Sequence, residues 1–441
     1  MSLPTLDTVQ KLQAALHAKA KGDSNYRFYS LYDKLYRTDV LWAAWRRCRA
    51  NGGVPGVDGQ TFADIEEYGV NKWLEELAEE LKEKTYQPQA VRRVYIPKAD
   101  GKQRPLGIPT IKDRTVETAV LIVLEPIFEA DLQDEQYAYR AERSALDAVQ
   151  AVHKLLNSGN TEVVDGDLSG YFDSIPHAEL MRCVARRVSD KAILHLIQLW
   201  LDAPVEEKDA RGQVHRTTRN KDEGRGSPQG APISPLLANL YMRRFVLGWK
   251  TLGHERQLQA RIVNYADDFV ICCRGTAEQA GAAMRDMMRR LKLTVNEKKT
   301  KTCCVPDETF DFLGYTFGRC YSTRTGRPYL GTRPAAKKIR KLCESISEQT
   351  RRRYTPLDPE EMVGRLNRQL RGWANYFCLG PVSKAYRAVD AHVTKRLRQW
   401  LCAKHKEPGQ GTSRFPDEYL YQTVGLVRLP DLTRSFPWAK A

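Results

Sequence analysis

The stretch Arg261–Cys273 reads RIVNYADDFVICC. Apolar residues run into a short polar centre and out again. That is a β-hairpin pattern: a strand through Arg261–Asn264, a turn at Tyr265–Asp268 and a return strand through Phe269–Cys273. Two adjacent carboxylates, Asp267 and Asp268, occupy the turn. Hairpin chemistry does not ask for two acids side by side, and their charges repel. A bound divalent cation would offset that cost. A turn that uses Asp only for its backbone preferences reads the same way. The pair gains meaning if the chain supplies a third acid and a nucleotide pocket.

Composition narrows the partners. The 441 residues exceed one ordinary core, so two or three domains are expected. A hydrophobic share of 42% suits a folded chain. No apolar run approaches the roughly 18 residues of a membrane helix. The amphipathic N-terminus lacks a signal-peptide core, so a cytoplasmic protein with no membrane partner is expected. The ten cysteines are scattered without a C-x-x-C spacing and read as reduced, mostly buried thiols. The formal net charge is +16, which points to a polyanion, nucleic acid first. About +11 of that excess lies from Ala335 onward.

Residues 1–85 read as mostly helical. Tyr26–Ala50 is rich in aromatics and arginines, Asn51-Gly52-Gly53 breaks it, and a further helix covers Phe62–Lys84. An alternating strand over Val91–Ile96 leads through a turn to a return strand over Gln103–Ile108. Lys98 and Arg104 project two cations from this hairpin, which suits a triphosphate or a solvated tip. A helix over Lys112–Ala130 follows, then Gln136–Arg143 with Arg140 and Arg143, then a helix over Ser144–Asn157. Thr161–Asp167 is a second apolar strand, and Asp167 at its end is the third carboxylate. Asp173 reads as a structural cap of the helix over His177–Val188. Gly224–Gly230, GRGSPQG, is a glycine loop ahead of a helix over Ile233–Leu247, with the Gln229 amide at its entrance. Phe310–Phe317 reads as one strand. Asp358–Glu361 reads as a capping-box start. The helix it opens has an apolar stripe of Met362, Leu366, Leu370, Trp373 and Phe377. Arg365, Arg368 and Arg371 lie beside that stripe, as a phosphate-gripping ridge or as a solvated face.

Together these strings resemble a group II intron-encoded reverse transcriptase/maturase. KADGKQRPLGIPTIKDR at 98–114, GDLSGYFDSIPH at 166–177, GSPQGAPISPLLANL at 226–240 and YADD at 265–268 resemble its successive polymerase blocks. FDFLGYTF at 310–317 and RLNRQLRGWANYF at 365–377 resemble its last palm block and its thumb. The resemblance implies an α+β right-hand polymerase of fingers, palm and thumb, with a ferredoxin-like palm and an α-helical thumb/maturase domain. The implied divisions are 1–85 for an N-terminal extension and the start of the fingers, 86–334 for fingers and palm, and 335–441 for the thumb/maturase domain with a basic C-terminal segment. It implies two Mg²⁺ ions held by Asp167, Asp267 and Asp268. Phe172 falls at the position of a ring that excludes a ribose 2′-hydroxyl. Lys98 and Arg104 match the triphosphate contacts, Gln229 the residue near the incoming sugar and base, and Lys299 the lysine that protonates the pyrophosphate. The implied partners are an RNA template, intron RNA, a DNA primer or target DNA, and dNTPs, in a bacterial cytoplasm at the nucleoid.

The family string Tyr-Gly-Phe-Arg-Pro-Gly-Arg-Ser stands here as YAYRAERS at 137–144. Both arginines remain, the glycines are gone and Glu142 adds a negative charge. No Cys/His-rich endonuclease segment is present in the sequence, so mobilisation without second-strand cutting is expected. Two other readings share these residues: a defence- or CRISPR-associated reverse transcriptase, and an RNA-binding splicing factor with a decayed polymerase. The intact acids weigh against the second.

Overall fold

The computed structural model describes residues 6–97, 103–209, 211–322, 324–433 and 439–440. In chain order the strands are β1 Val91–Pro97, β2 Gln103–Ile108, β3 Glu162–Asp167, β4 Val205–Lys208, β5 Val214–Thr217, β6 Arg261–Tyr265, β7 Asp268–Cys273 and β8 Lys301–Cys304. They continue with β9 Phe310–Phe312, β10 Tyr315–Tyr321, β11 Pro328–Pro334, β12 Gly380–Pro381 and β13 Ala439–Lys440.

The expected hairpin forms, with Ala266 and Asp267 left between β6 and β7. Ala266 takes a left-handed φ of +57°, and the buried Asn264 side chain donates to its carbonyl at 2.8 Å. The hairpin joins β3 and β8 in the order β6-β7-β3-β8, every pair antiparallel. Helices connect β3 to β6, and helix Ala277–Arg290 connects β7 to β8, which is the ferredoxin-like arrangement. Strand alternation gives the sheet two faces. Phe269 and Ile271 pack on one face with helices His177–Ala185 and Ser234–Thr251. Val163, Val270 and Cys272 pack on the other, with helix Ala145–Asn157 and strands β9 and β10. Gly166 is required within β3, because a Cβ there would lie 2.4 Å from the Phe269 ring.

A second sheet, in the order β2-β1-β4-β5, carries the β1–β2 hairpin. Helices Leu6–Gly22, Thr38–Asn51, Phe62–Tyr68 and Val70–Lys82 stand ahead of it. The single helix expected over Phe62–Lys84 is two, broken at Gly69 with φ +103°. In the 26–50 stretch a short 3-10 helix at Tyr32–Lys34 comes first, and the α-helix starts at Thr38. The strand expected over Phe310–Phe317 is likewise two, β9 and β10. They fold back at Leu313 and Gly314, both at positive φ, as a tight two-residue hairpin demands.

Helices Ala336–Gln349, Pro359–Tyr376 and Ser383–His405 enclose a separate core of Ile346, Met362, Leu366, Leu370, Val389 and Trp400. The apolar stripe is therefore a core face. Pro359 does open its helix, but the Asp358 side chain makes no capping bond, so the expected box is absent. Gly380-Pro381 pairs with β13 in a two-stranded ribbon.

One buried carboxyl joins helix Ile111–Glu129 to the segment ahead of helix Ser234–Thr251. Glu117, on helix Ile111–Glu129, is 2% exposed and accepts the Ile233 N–H at 3.3 Å. Burial pushes its carboxyl from 4.5 up to about 8. Between those values the folded chain keeps a proton that the unfolded chain has released, so stability falls as pH rises from about 4.5 to about 8. Glu117→Gln keeps an acceptor for Ile233 and removes the penalty. We expect a gain on the order of 2–4 kcal/mol at pH 8 and little near pH 4.5. Thermal melts across this range check it; equal gains at both ends would place the charge cost elsewhere.

Candidate active site

The three acids meet at one end of the central sheet. Antiparallel register sets Asp167 of β3 directly opposite Asp268 of β7, with Asp267 next to it in the turn. Side-chain alternation sends Asp165 and Asp167 to the face shared with β9 and β10. Asp268 opens onto a cleft, yet its carboxyl is pushed up to about 6, by burial first and then by Asp267 and Asp167.

Asp167 has partners. Its Oδ1 accepts from Asn296 at 2.9 Å and its Oδ2 faces Lys299 Nζ at 3.2 Å. The Asp167 carbonyl also accepts the Asn296 N–H at 2.8 Å, which fixes the segment ahead of β8 against the end of β3. Among the described residues no three carboxylate, imidazole or thiol groups already converge as a metal cage. The donor set nonetheless fits a hard divalent cation: three oxygen-bearing acids, mutually repelling, with one held by an ammonium.

These acids floor a cleft of about 1500 Å³. Arg104, Phe172, Gln229 and Lys299 also line it. Phe172 lies on the short helix Tyr171–Ser174, entered through Gly170 at left-handed φ. The glycine loop straps this turn down: Ser227 N–H donates to the Phe172 carbonyl at 2.8 Å and Gly226 N–H to the Ile175 carbonyl at 2.9 Å. The same loop grips the β1–β2 hairpin, since Gly107 N–H donates to the Gln229 carbonyl at 2.6 Å. Gly230 has φ +120°, and a Cβ there would lie 2.4 Å from the Gly107 carbonyl oxygen. One loop thus fixes Phe172, Gln229 and the strand that carries Arg104.

Several expectations change. Lys98 lies outside the described residues. Asp173 makes no cap, since Pro176 occupies that position without a side-chain bond. The Asp173 carboxylate instead accepts from Gln229 Nε2 at 3.4 Å, inside the cleft. Arg140, expected at a nucleic-acid contact, is turned inward. Its side chain is 4% exposed, binds both Glu129 oxygens and donates to the Gln133 and Gln136 carbonyls. It is a clamp that shapes the loop ahead of helix Ala145–Asn157. Arg143 is half engaged, by Asp134 and by the Tyr137 ring. Arg365 pairs with Glu361 at 2.7 Å, whereas Arg368 and Arg371 are exposed.

Sequence reasoning missed other groups. Asp165, two residues before Asp167, is pushed up to about 7 by burial, then by Asp268, Asp167 and Asp311. Its period-2 spacing from Asp167 was the available signal. Tyr139 lines the cleft at φ +53°, and Glu142, at a family glycine position, takes φ +58°. Arg47, Arg114 and Lys341 line the cleft as well. Lys341 belongs to the basic run of helix Ala336–Gln349, where Lys337 reaches Asp311 of β9 at 2.9 Å.

Comparison with known proteins agrees with this geometry. The family "Reverse transcriptase (RNA-dependent DNA polymerase)" matches residues 96–317, and "Group II intron, maturase-specific domain" matches residues 339–416. The chain is 33% identical over 381 residues to protein YkfC of Escherichia coli (strain K12), covering 77% of this chain and 96% of that protein. It is 34% identical over 241 residues to the group II intron-encoded protein LtrA of Lactococcus lactis subsp. cremoris, covering 53% of this chain and only 38% of LtrA. A solved structure, a partial Cas6-RT-Cas1–Cas2 complex, aligns at a TM-score of 0.36 and 21% identity over 59% of this chain and 41% of that chain, a likeness too weak to carry an argument. The two family matches and the near-full-length relative lead to one conclusion: the chain belongs to the group II intron-encoded reverse transcriptase/maturase family of RNA-dependent DNA polymerases.

Proposed function

We propose that this chain copies RNA into DNA in the cleft floored by Asp167, Asp267 and Asp268, and holds intron RNA on its basic C-terminal domain. The observation that carries the reading is the opposition of Asp167 and Asp268 beside Asp267, within one cleft that also presents Phe172, Gln229, Arg104 and Lys299. The three acids would hold two Mg²⁺, which lower the pKa of a primer 3′-hydroxyl and neutralise a leaving pyrophosphate. Arg104 offers a fork for the triphosphate of an incoming dNTP. Gln229, held beside Asp173, would face its sugar and base. The Phe172 ring would fill the space that a ribose 2′-hydroxyl needs. Lys299, 3.2 Å from Asp167, would stand as the donor to the leaving pyrophosphate.

The chain would divide into three parts. Residues 1–85 would extend and begin the fingers, 86–334 would form fingers and palm, and 335–441 the thumb/maturase domain. Among the described residues no helix is long and apolar enough to cross a membrane. We take the partners to be template and intron RNA, primer or target DNA, and dNTPs, met at the nucleoid of a bacterial cytoplasm.

Primer extension on an RNA template with Mg²⁺ tests the reading. Asp267→Asn should lower synthesis by more than a thousand-fold while RNA affinity stays within a few-fold, because affinity rests on the basic surface. Normal extension by this variant would sink the metal assignment.

Phe172→Ala should admit ribonucleotides while dNTP incorporation persists. Single-nucleotide kinetics read the rNTP/dNTP ratio, and an unchanged ratio removes Phe172 from the gate.

Arg368 and Arg371 stand exposed on the thumb helix, off its core stripe. Replacing both with Gln keeps helix propensity and core. RNA binding should weaken, and its salt slope should become shallower by about one to two units. Titrations at several salt concentrations decide; an unchanged slope means neither arginine meets a phosphate.

A further inference from the structure

A second concentration of positive charge lies away from the polymerase cleft. Helices His177–Ala185 and Ser234–Thr251 border a cavity of about 260 Å³. Arg182, Arg186, Arg243 and Arg244 line it, with Asp131 and Glu179. The buried sides of these helices, through Leu180, Val184, Leu237 and Phe245, pack on the sheet face that carries Phe269 and Ile271. Asp167 and Asp268 project from the opposite face. The cavity is therefore on the far side of the sheet from the proposed chemistry.

The two acids are already taken. Asp131 receives Arg186 at 3.1 Å and the fully buried Arg187 at 3.3 Å. Arg187 spends its other nitrogens on the carbonyls of Ala20, Asp23 and Tyr26. Glu179 is held by Lys292 at 2.7 Å. Arg243 donates to the Asp131 backbone carbonyl at 2.6 Å. Arg244 lies over the Tyr241 ring at 5.3 Å, and its Nη1 is shut from solvent with no hydrogen-bond partner. A buried donor left unpaired costs about 1–3 kcal/mol. Burial and then the nearby Arg186 also hold the Arg243 guanidinium below its usual range. Four guanidinium groups therefore border a cavity whose two acids are already paired, and several of them are fixed in place.

We propose that this cavity binds a phosphate group. Guanidinium forks match phosphate oxygens in pairs, and four of them border this cavity. The backbone of an RNA strand is the source favoured by the charge of +16. A strand held here would stay clear of the cleft while template is copied.

Two variants of the full chain test this. Arg182→Gln is exposed and carries little folding risk; Arg182→Gln/Arg244→Gln also removes the buried donor. The first probe is inorganic phosphate, read as the thermal shift over chloride at matched ionic strength. The second is a long structured RNA, titrated at several salt concentrations. Primer extension with saturating short template–primer is the control. Phosphate should raise the melting temperature of the wild type and lose that effect in the double variant. RNA affinity should fall roughly five-fold with a salt slope shallower by about one unit per arginine, while primer extension is unchanged. Loss of the phosphate shift with unchanged RNA binding assigns the site to free phosphate. Unchanged behaviour of both probes overturns the proposal. The RNA arm rests on the reading of this chain as an RNA-binding polymerase; the phosphate arm does not. A wild type that extends no primer would count against that reading alone.

Discussion

The structure is organised around a repulsion. Antiparallel register between β3 and β7 sets Asp167 against Asp268, and the turn adds Asp267. Two unit charges about 4 Å apart at an effective dielectric near 20 repel by about 4 kcal/mol. Nothing in sheet formation gains from that. The surroundings answer it locally: Asn296 and Lys299 hold Asp167, and the Asp268 carboxyl is pushed up toward neutrality. A divalent cation would answer it more fully, and that makes the charge cluster a site instead of a defect. The apolar strands behind it, with Gly166 making room for Phe269, are what keep the acids from moving apart.

Much of this was legible because it is local. A period of two and a short polar turn gave the β6–β7 hairpin and the acid at the end of β3. The ordered blocks gave the ferredoxin-like sheet, which periodicity alone does not contain. What stayed hidden depends on backbone torsion or on distant partners. Leu313-Gly314 reads as strand interior because leucine carries no turn signal, yet both residues take positive φ. Gly69 looks like one tolerated glycine in a helix and instead ends it. Asp173 precedes a helix and reads as its cap, but it lies on the separate short helix Tyr171–Ser174 and its carboxylate meets Gln229.

Cations show the same limit more sharply. Net charge counts every Lys and Arg alike, but they serve three different uses. Arg140, Arg187 and Arg396 are consumed by acids and carbonyls inside the protein and act as clamps. Arg285, Arg289 and Arg365 are tied to surface acids, pairs worth little individually. Only the remainder, among them Arg104, Lys341, Arg368 and Arg371, faces solvent or cleft ready for a polyanion. A string such as YAYRAERS cannot say which use its arginines have. Glu129, eleven residues before Arg140, decides it.

The palm sheet sorts these uses by face. Its acids project toward β9 and β10 and the helix that begins at Ala336, whose Lys337 reaches Asp311 on the same surface. The other face is sealed by helices whose inner sides are apolar and whose outer sides are rich in arginine. Strand alternation makes that separation unavoidable: moving β7 by one residue would send Asp268 to the helix-covered face and Phe269 to the cleft. The register that creates the charge cluster therefore also keeps the basic outer surface apart from it. The acidic floor of the cleft and the basic outer surface are thereby kept from neutralising each other, and in this fold the pleat of a single strand pair provides that separation.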